Sequence, residues 1–197
     1  MNNKIFCLIA ITSLFVISIA EKSGADDGYF LSLYGGRVSQ TPFNAIVRGI
    51  LDFKDYYLVA GALGKELAVY KDKVGIEMEG QIVKHIEGKE QWEFNSVLTL
   101  RWLPFPWDKK VDTSFAWGNG ISYATEKPEF EVEDSSNNYE TSQVLYYFMA
   151  EMDFALPDVS KWHVFSRIHH RSSLFGLING IMAGSNYITF GVRYHFN

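Results

Sequence analysis

The sequence predicts an all-β fold: an eight-stranded antiparallel transmembrane β-barrel of the outer-membrane type, following a cleaved signal peptide. Three observations predict it. The chain begins with an export signal, it continues in segments where apolar and polar residues alternate, and 16% of its residues are aromatic. Half-apolar strands rich in aromatic residues are typical of barrels that cross a membrane with strands.

The N-terminal segment has the three parts of a secretory signal peptide. Lys4 supplies the positive charge, and residues 5–20 form an apolar run interrupted only by hydroxyl side chains. The run ends with the small residues Ser18 and Ala20 on either side of one larger residue. This pattern is that of a segment recognised for export and then removed.

Cleavage is expected after Ala20, with Ala25 as the second choice. Residues 1–20 would then be the signal peptide, and residues 21–197 a single barrel domain. A membrane-spanning helix is the alternative, but acidic Glu21 follows the apolar run at once.

The remaining composition limits the partners. The only cysteine, Cys7, lies in the predicted signal, so the mature domain is expected to fold without disulfides. The net charge is −5, and it becomes −6 when Lys4 is removed. An acidic chain of this kind is not expected to bind nucleic acid. Nothing in the sequence argues for or against an oligomer.

Eight segments with period-two patterning predict the strands. They are residues 28–38, 55–63, 73–83, 92–103, 113–123, 143–156, 163–172 and 186–196. The segment 43–53 fits a short helix or a further extended piece, and the pattern does not decide between them.

Alternation alone does not say which face of a strand points inward. In residues 73–83, Val74 and Ile76 share one face while Glu77 and Glu79 share the other. A soluble sandwich or lipocalin-type barrel would keep the apolar face inside, whereas an outer-membrane barrel has a polar interior. The export signal and the long aromatic faces favour the second arrangement. The charges expected inside are Arg167, Arg171, Arg193, Glu77, Glu79, Glu151 and Asp153.

The connections are unequal in length. Residues 103–111 and 157–162 are compact and are expected to be periplasmic turns, whereas the acidic stretch 126–141 is expected to be an external loop. A solvated loop is the first interpretation of that stretch, and a divalent-cation site is the alternative.

A His-x-Ser pair lies near the end of the seventh predicted strand. Residues two apart on a strand point to the same side, about 6.6 Å apart along it. His170 and Ser172 are therefore predicted neighbours on the lipid-facing side, as a serine nucleophile and its general base require. Asn186, at the start of the last strand, has the lipid-facing parity and should lie beside His170. The alternative is an ordinary polar rim of the barrel.

The C-terminal stretch resembles a known family. The resemblance is carried by His170-Arg171-Ser172, Gly176, Asn179-Gly180, Gly184-Ser185-Asn186 and the terminal run from Gly191 to Phe196. These motifs are similar to those of the lipid A 3-O-deacylases (PagL-like, often called acyloxyacyl hydrolases), which are small eight-stranded outer-membrane barrels.

The resemblance implies a set of site residues. Ser172 would be the nucleophile, His170 its base, and Asn186 would stand where the family has an acidic third member. Asn179 would be a candidate donor to an oxyanion. The sequence departs from the family here, since no Asp or Glu follows Asp158.

The predicted function follows from this resemblance: an outer-membrane serine esterase of a Gram-negative bacterium that hydrolyses an acyl ester of lipid A. Its partners would be lipopolysaccharide in the outer leaflet and outer-membrane lipids, and the chemistry needs no metal or organic cofactor. The first alternative is a non-catalytic barrel, structural or adhesive, that has lost the acidic triad member. The second is a soluble periplasmic lipid-binding barrel.

Overall fold

The computed structural model describes residues 28–86, 91–134, 141–174, 176–178, 180 and 182–196. The predicted signal peptide, both candidate cleavage sites and the oxyanion candidate Asn179 lie outside the described residues. No helix among the described residues is long and apolar enough to cross a membrane.

Eight antiparallel strands form a closed barrel in which each strand pairs with its neighbours in the chain, and the first pairs with the last. They are β1 (Tyr29–Ser39), β2 (Phe53–Tyr70), β3 (Val74–Ile86), β4 (Gln91–Trp102), β5 (Asp112–Ala124), β6 (Val144–Ala155), β7 (Trp162–Ser172) and β8 (Gly184–His195). Two short helices, α1 (Phe43–Ile46) and α2 (Glu129–Asp134), and a 3-10 turn (Pro157–Val159) lie in the connections. The predicted fold class is confirmed.

The second strand is longer than its predicted range of 55–63. It continues to Tyr70, which pairs with Val74 of β3. The turn between the two strands is tight, and Lys71 and Asp72 in it both have positive φ, 51° and 53°. The charged residues of this stretch lie on the strand itself, where the Lys65 ammonium sits 4.5 Å from the Tyr29 ring centroid. Long charged side chains of this kind can cover an aromatic ring at the end of a barrel strand.

The lumen is filled with paired charges. Glu151 accepts hydrogen bonds from Arg167 at 2.8 Å and from Arg193 at 3.1 Å. It also accepts one from Arg101 at 2.7 Å. All the charges predicted inside are buried: Arg167, Arg171, Arg193, Glu77, Glu79, Glu151 and Asp153. Buried ions need such partners, and a small barrel can fill its interior with a network of this kind.

The outer surface is apolar and carries aromatic residues at both ends of the strands. At the end where β1 begins and β8 ends, the exposed rings are Tyr29, Tyr70, Trp102, Trp107, Trp162 and Phe196. Exposed rings nearer the other end are Phe53, Trp92, Phe94 and Tyr123. An apolar exterior between aromatic girdles, around a polar interior, is the arrangement of an outer-membrane barrel. The soluble alternatives, which need a polar exterior, are therefore wrong.

The connections orient the barrel. The end where β1 begins and β8 ends has short turns, at residues 71–73, 103–111 and 156–161. Short turns are periplasmic in outer-membrane barrels. The opposite end carries the longer connections 40–52 and 125–143. This opposite end is therefore the extracellular one. The C-terminal end of β7 and the start of β8 lie there.

The ambiguous segment 43–53 begins with the single-turn helix α1 and ends at the start of β2. It belongs to loop 1, which we define as residues 40–52. Backbone hydrogen bonds close this loop at its base, from the Gln40 N–H to the Asp52 carbonyl at 2.9 Å. The Asp52 N–H in turn donates to the Thr41 hydroxyl oxygen at 2.9 Å.

The acidic connection differs from the solvated loop that the sequence predicts. Its helix α2 folds into the extracellular end of the lumen, where Phe130 is buried and its ring lies 5.6 Å from that of Tyr56. Glu131, the next residue, is fully buried. A carboxylate in that position needs partners from the barrel wall.

Candidate active site on the outer face

The strand register brings the predicted site residues together. His170 pairs directly with Asn186 across β7 and β8, and Ser172 pairs with Gly184. The neighbouring residues Arg167, His169 and Arg171 are buried in the lumen, so His170 and Ser172 point outward, as the alternation predicts. The three polar side chains form one half-buried patch on the lipid-facing wall, near the extracellular end.

The side chains of His170 and Asn186 form a defined hydrogen-bond chain. His170 Nδ1 lies 2.7 Å from Asn186 Oδ1, and Asn186 Nδ2 donates to the carbonyl oxygen of Thr41 at 3.1 Å. A carbonyl can only accept, so the Thr41 contact fixes which end of the amide is nitrogen. The amide oxygen therefore faces His170, and Nδ1 must carry the proton.

This orientation fixes the tautomer that a general base requires. With its proton on Nδ1, the neutral His170 ring presents the lone pair of Nε2. Replacing the acid of a serine-protease triad by asparagine is damaging because it imposes the wrong tautomer. Here loop 1 holds Asn186 in the orientation that gives the required His170 tautomer, with the proton on Nδ1.

Ser172 has a hydrogen bond of its own. Its hydroxyl oxygen accepts from the Leu174 N–H at 3.0 Å, and Leu174 turns the chain out of β7 with a φ of 51°. Within the part of the chain that the structure describes, no hydrogen bond joins Ser172 to His170. The Ser172 hydroxyl still has its proton to donate, because the Leu174 contact uses only a lone pair.

Aromatic rings shelter the patch. The Phe43 ring of α1 lies 5.7 Å from the His170 ring and 5.2 Å from that of Phe148 on β6. Trp117 on β5 adds an edge contact to Phe148 at 4.4 Å. As a result, Phe148 is almost fully buried although it points outward. His170 thus lies in an apolar setting open on one side.

Behind the same wall lies a carboxylate that the sequence did not single out. Glu131 accepts hydrogen bonds from Arg171 Nη1 at 2.9 Å and from the Ser185 hydroxyl at 2.8 Å. Arg171 lies between His170 and Ser172 in the chain, and Ser185 precedes Asn186. Glu131 therefore ties β7 to β8 from the lumen side at the level of the patch. The alternation of side chains along β7 indicates that Arg171 points inward and needs a counter-charge. It does not indicate which acidic residue supplies that charge.

No carboxylate among the described residues makes a hydrogen bond or an ion pair with His170. The same residues contain no group of three or more His, Cys, Asp or Glu side chains that could hold a metal ion. The chemistry available at the patch is that of a hydroxyl, an imidazole and an amide.

No protein-family model matches the chain, and no curated protein matches it. Among solved structures, it is similar to that of the outer membrane enzyme PagL, with a TM-score of 0.58 and 10% identity. That match covers 83% of this chain and 97% of the other. It is also similar to Neisserial surface protein A (NspA), with a TM-score of 0.53 and 10% identity, over 88% of this chain and 100% of the other. At this identity the likeness concerns the fold, a small outer-membrane barrel.

Proposed function

We propose that this outer-membrane barrel is a serine esterase that hydrolyses an acyl ester of lipid A, with Ser172 as nucleophile and His170 as its base. The observation that carries the proposal is a pair of consecutive hydrogen bonds. The Asn186 amide donates to the Thr41 carbonyl and accepts from His170 Nδ1. This arrangement leaves Nε2 as the basic nitrogen of a half-buried histidine on the lipid-facing wall. Outer-leaflet lipids reach this patch without leaving the membrane.

The reaction would proceed in two halves. His170 Nε2 takes the Ser172 hydroxyl proton while Oγ attacks the ester carbonyl carbon, and the carbonyl electrons move to oxygen. Collapse of this tetrahedral oxyanion breaks the bond to the sugar oxygen, which leaves with the proton from His170. Water then attacks the acyl-enzyme, His170 takes the proton of that water, and the fatty acid is released as Ser172 regains its hydrogen.

The third residue has a limited role in this scheme. Asn186 orients the His170 ring and fixes its tautomer, but a neutral amide cannot stabilise the imidazolium by charge. The oxyanion needs a hydrogen-bond donor, and Asn179 stays the candidate that the resemblance implies. The expected enzyme is therefore slower than one with an acid at position 186.

A non-catalytic barrel, structural or adhesive, is the second candidate. It is favoured by Asn186 in the place of an acid and by the packing of Phe43 over His170. In this reading the patch is an inherited surface that serves only to hold loop 1 against the wall through Asn186 and Thr41.

The lipid A of cells with and without the protein distinguishes the two. Mass spectrometry is expected to show the loss of one ester-linked acyl chain with the wild type and none with Ser172→Ala. Ser166→Ala is the matched control, since Ser166 points outward on the same strand but lies away from His170. An acyl pattern that is identical in cells without the protein and in cells with the wild type, Ser172→Ala or Ser166→Ala refutes the esterase. A deacylase that appears only with Asn186→Asp supports the non-catalytic barrel.

A further inference from the structure

Loop 1 lies against the outer wall of the barrel. Phe43 packs on the outward-facing side chains of Phe148 and His170, and the Thr41 carbonyl accepts from outward-facing Asn186. The loop leaves the end of β1 and thereby covers part of the wall formed by β8, β7 and β6. This is the face whose apolar side chains meet lipid elsewhere on the barrel.

The far side of the same loop is apolar too. Ile46 is buried against the protein, but Val47 is 67% exposed, Ile50 55% and Leu51 42%. Gly49 has a φ of 78° and turns the chain between these residues, so that they follow closely on α1. An exposed group of large aliphatic side chains on a soluble loop would be a liability, and it signals a partner.

Continuity with the lipid-facing wall identifies that partner. In the chain, the apolar group is followed by exposed Phe53, the first residue of β2. It is preceded by Phe43, whose ring packs on Phe148 at the lipid-facing wall. Arg48 is exposed within the group, and a cation beside aliphatic side chains suits a segment that lies at the boundary of head groups and acyl chains. Water would be the wrong medium for such a surface.

We propose that loop 1 is inserted in the outer leaflet, with Val47, Ile50 and Leu51 among the acyl chains and Arg48 at the level of the anionic head groups. The loop then forms a membrane-embedded cover beside His170, and a lipid reaches the patch by passing along it. This inference does not depend on the proposed esterase, because it concerns the position of the loop and not the chemistry.

Single cysteines test the depth of the loop. The only cysteine of the chain, Cys7, lies in the predicted signal peptide, so residues 21–197 contain none. In this domain, Val47→Cys and Ile50→Cys are labelled with an environment-sensitive fluorophore. The protein is folded into phosphatidylcholine–phosphatidylglycerol vesicles that carry a nitroxide on the acyl chain. Lys127→Cys is the matched control, since Lys127 is an exposed residue of another extracellular loop.

Labels at positions 47 and 50 are expected to emit at shorter wavelength than the label at position 127. The acyl-chain nitroxide should quench the labels at positions 47 and 50 about threefold more strongly than the label at position 127, since an inserted segment lies at the boundary of head groups and acyl chains. Quenching by aqueous iodide at all three positions alike overturns the proposal. So does protection from both quenchers, which would mean that a second copy of the chain covers the loop. Two labelled positions keep the result independent of one variant.

Discussion

Replacing Glu131 by glutamine is expected to lower the free energy of unfolding by about 3 kcal/mol. The Glu131 carboxylate accepts from Arg171 at 2.9 Å, from Ser185 at 2.8 Å and from Thr141 at 2.8 Å. Glutamine has the same shape, and both hydroxyl groups can still bond to its amide. The loss is therefore the charge that faces Arg171.

The magnitude follows from burial. Arg171 and Glu131 are both fully buried, and removing one member of such a pair typically costs 3–5 kcal/mol. Glu93, with an oxygen 4.0 Å from Arg171 Nε, supplies some residual charge compensation and keeps the expected loss at the lower end, about 3 kcal/mol.

Urea unfolding of the protein in phospholipid vesicles, followed by tryptophan fluorescence, measures the difference. Glu126→Gln is the matched control, since Glu126 is exposed in the same loop and its replacement should change stability by less than about 0.5 kcal/mol. If both variants unfold at the same urea concentration, the buried pair of Glu131 and Arg171 does not stabilise the barrel. The proposed esterase should also lose about tenfold in turnover with Glu131→Gln, because Arg171 lies between His170 and Ser172.

Three further outcomes are expected. Asn186→Ala should lower ester hydrolysis about 100-fold, measured as released fatty acid, because His170 loses the acceptor that fixes its tautomer; unchanged hydrolysis would exclude that role. Phe43→Ala should speed the modification of His170 by diethyl pyrocarbonate, followed by mass spectrometry, and an equal rate would mean that the ring shields nothing. Gly191→Ala should destabilise the barrel by about 2 kcal/mol in the same urea assay, since the new Cβ would lie 2.5 Å from neighbouring atoms, whereas Gly80→Ala has open space; equal stabilities would contradict this.

The alternation of side chains predicts the outward patch because parity needs only local information. A residue two positions from His170 on the same strand shares its face regardless of the rest of the sequence. This rule predicts that Ser172 lies on the face of His170. Asn186 followed from the parity of β8 alone. The inward arginines were predicted in the same way, and their burial confirms the polar lumen.

The partners across the lumen could not be predicted. Glu131 reaches Arg171 over 40 positions of the chain, from a helix only six residues long. Its acidic neighbours make a solvated loop the natural interpretation, since nothing local distinguishes Glu131, which turns inward, from the other acidic residues of the stretch. The predicted length of β2 was wrong for a related reason. The charged half of this strand is stabilised by contacts between different strands, such as that between Lys65 and Tyr29.

The lumen network also bears on how the barrel assembles. Arg193, near the end of the last strand, donates to Ser32 on the first strand at 3.1 Å, across 161 positions of the chain. Arg167 meets Glu79 across 88 positions. Glu151 of β6 faces both guanidinium groups whether or not the barrel is closed. Until β8 seals against β1, however, Glu79 of β3 would face hydrocarbon without the arginines that pair with it. Insertion and closure are therefore expected to be one concerted transition, since a half-inserted sheet would expose unpaired ions to the bilayer.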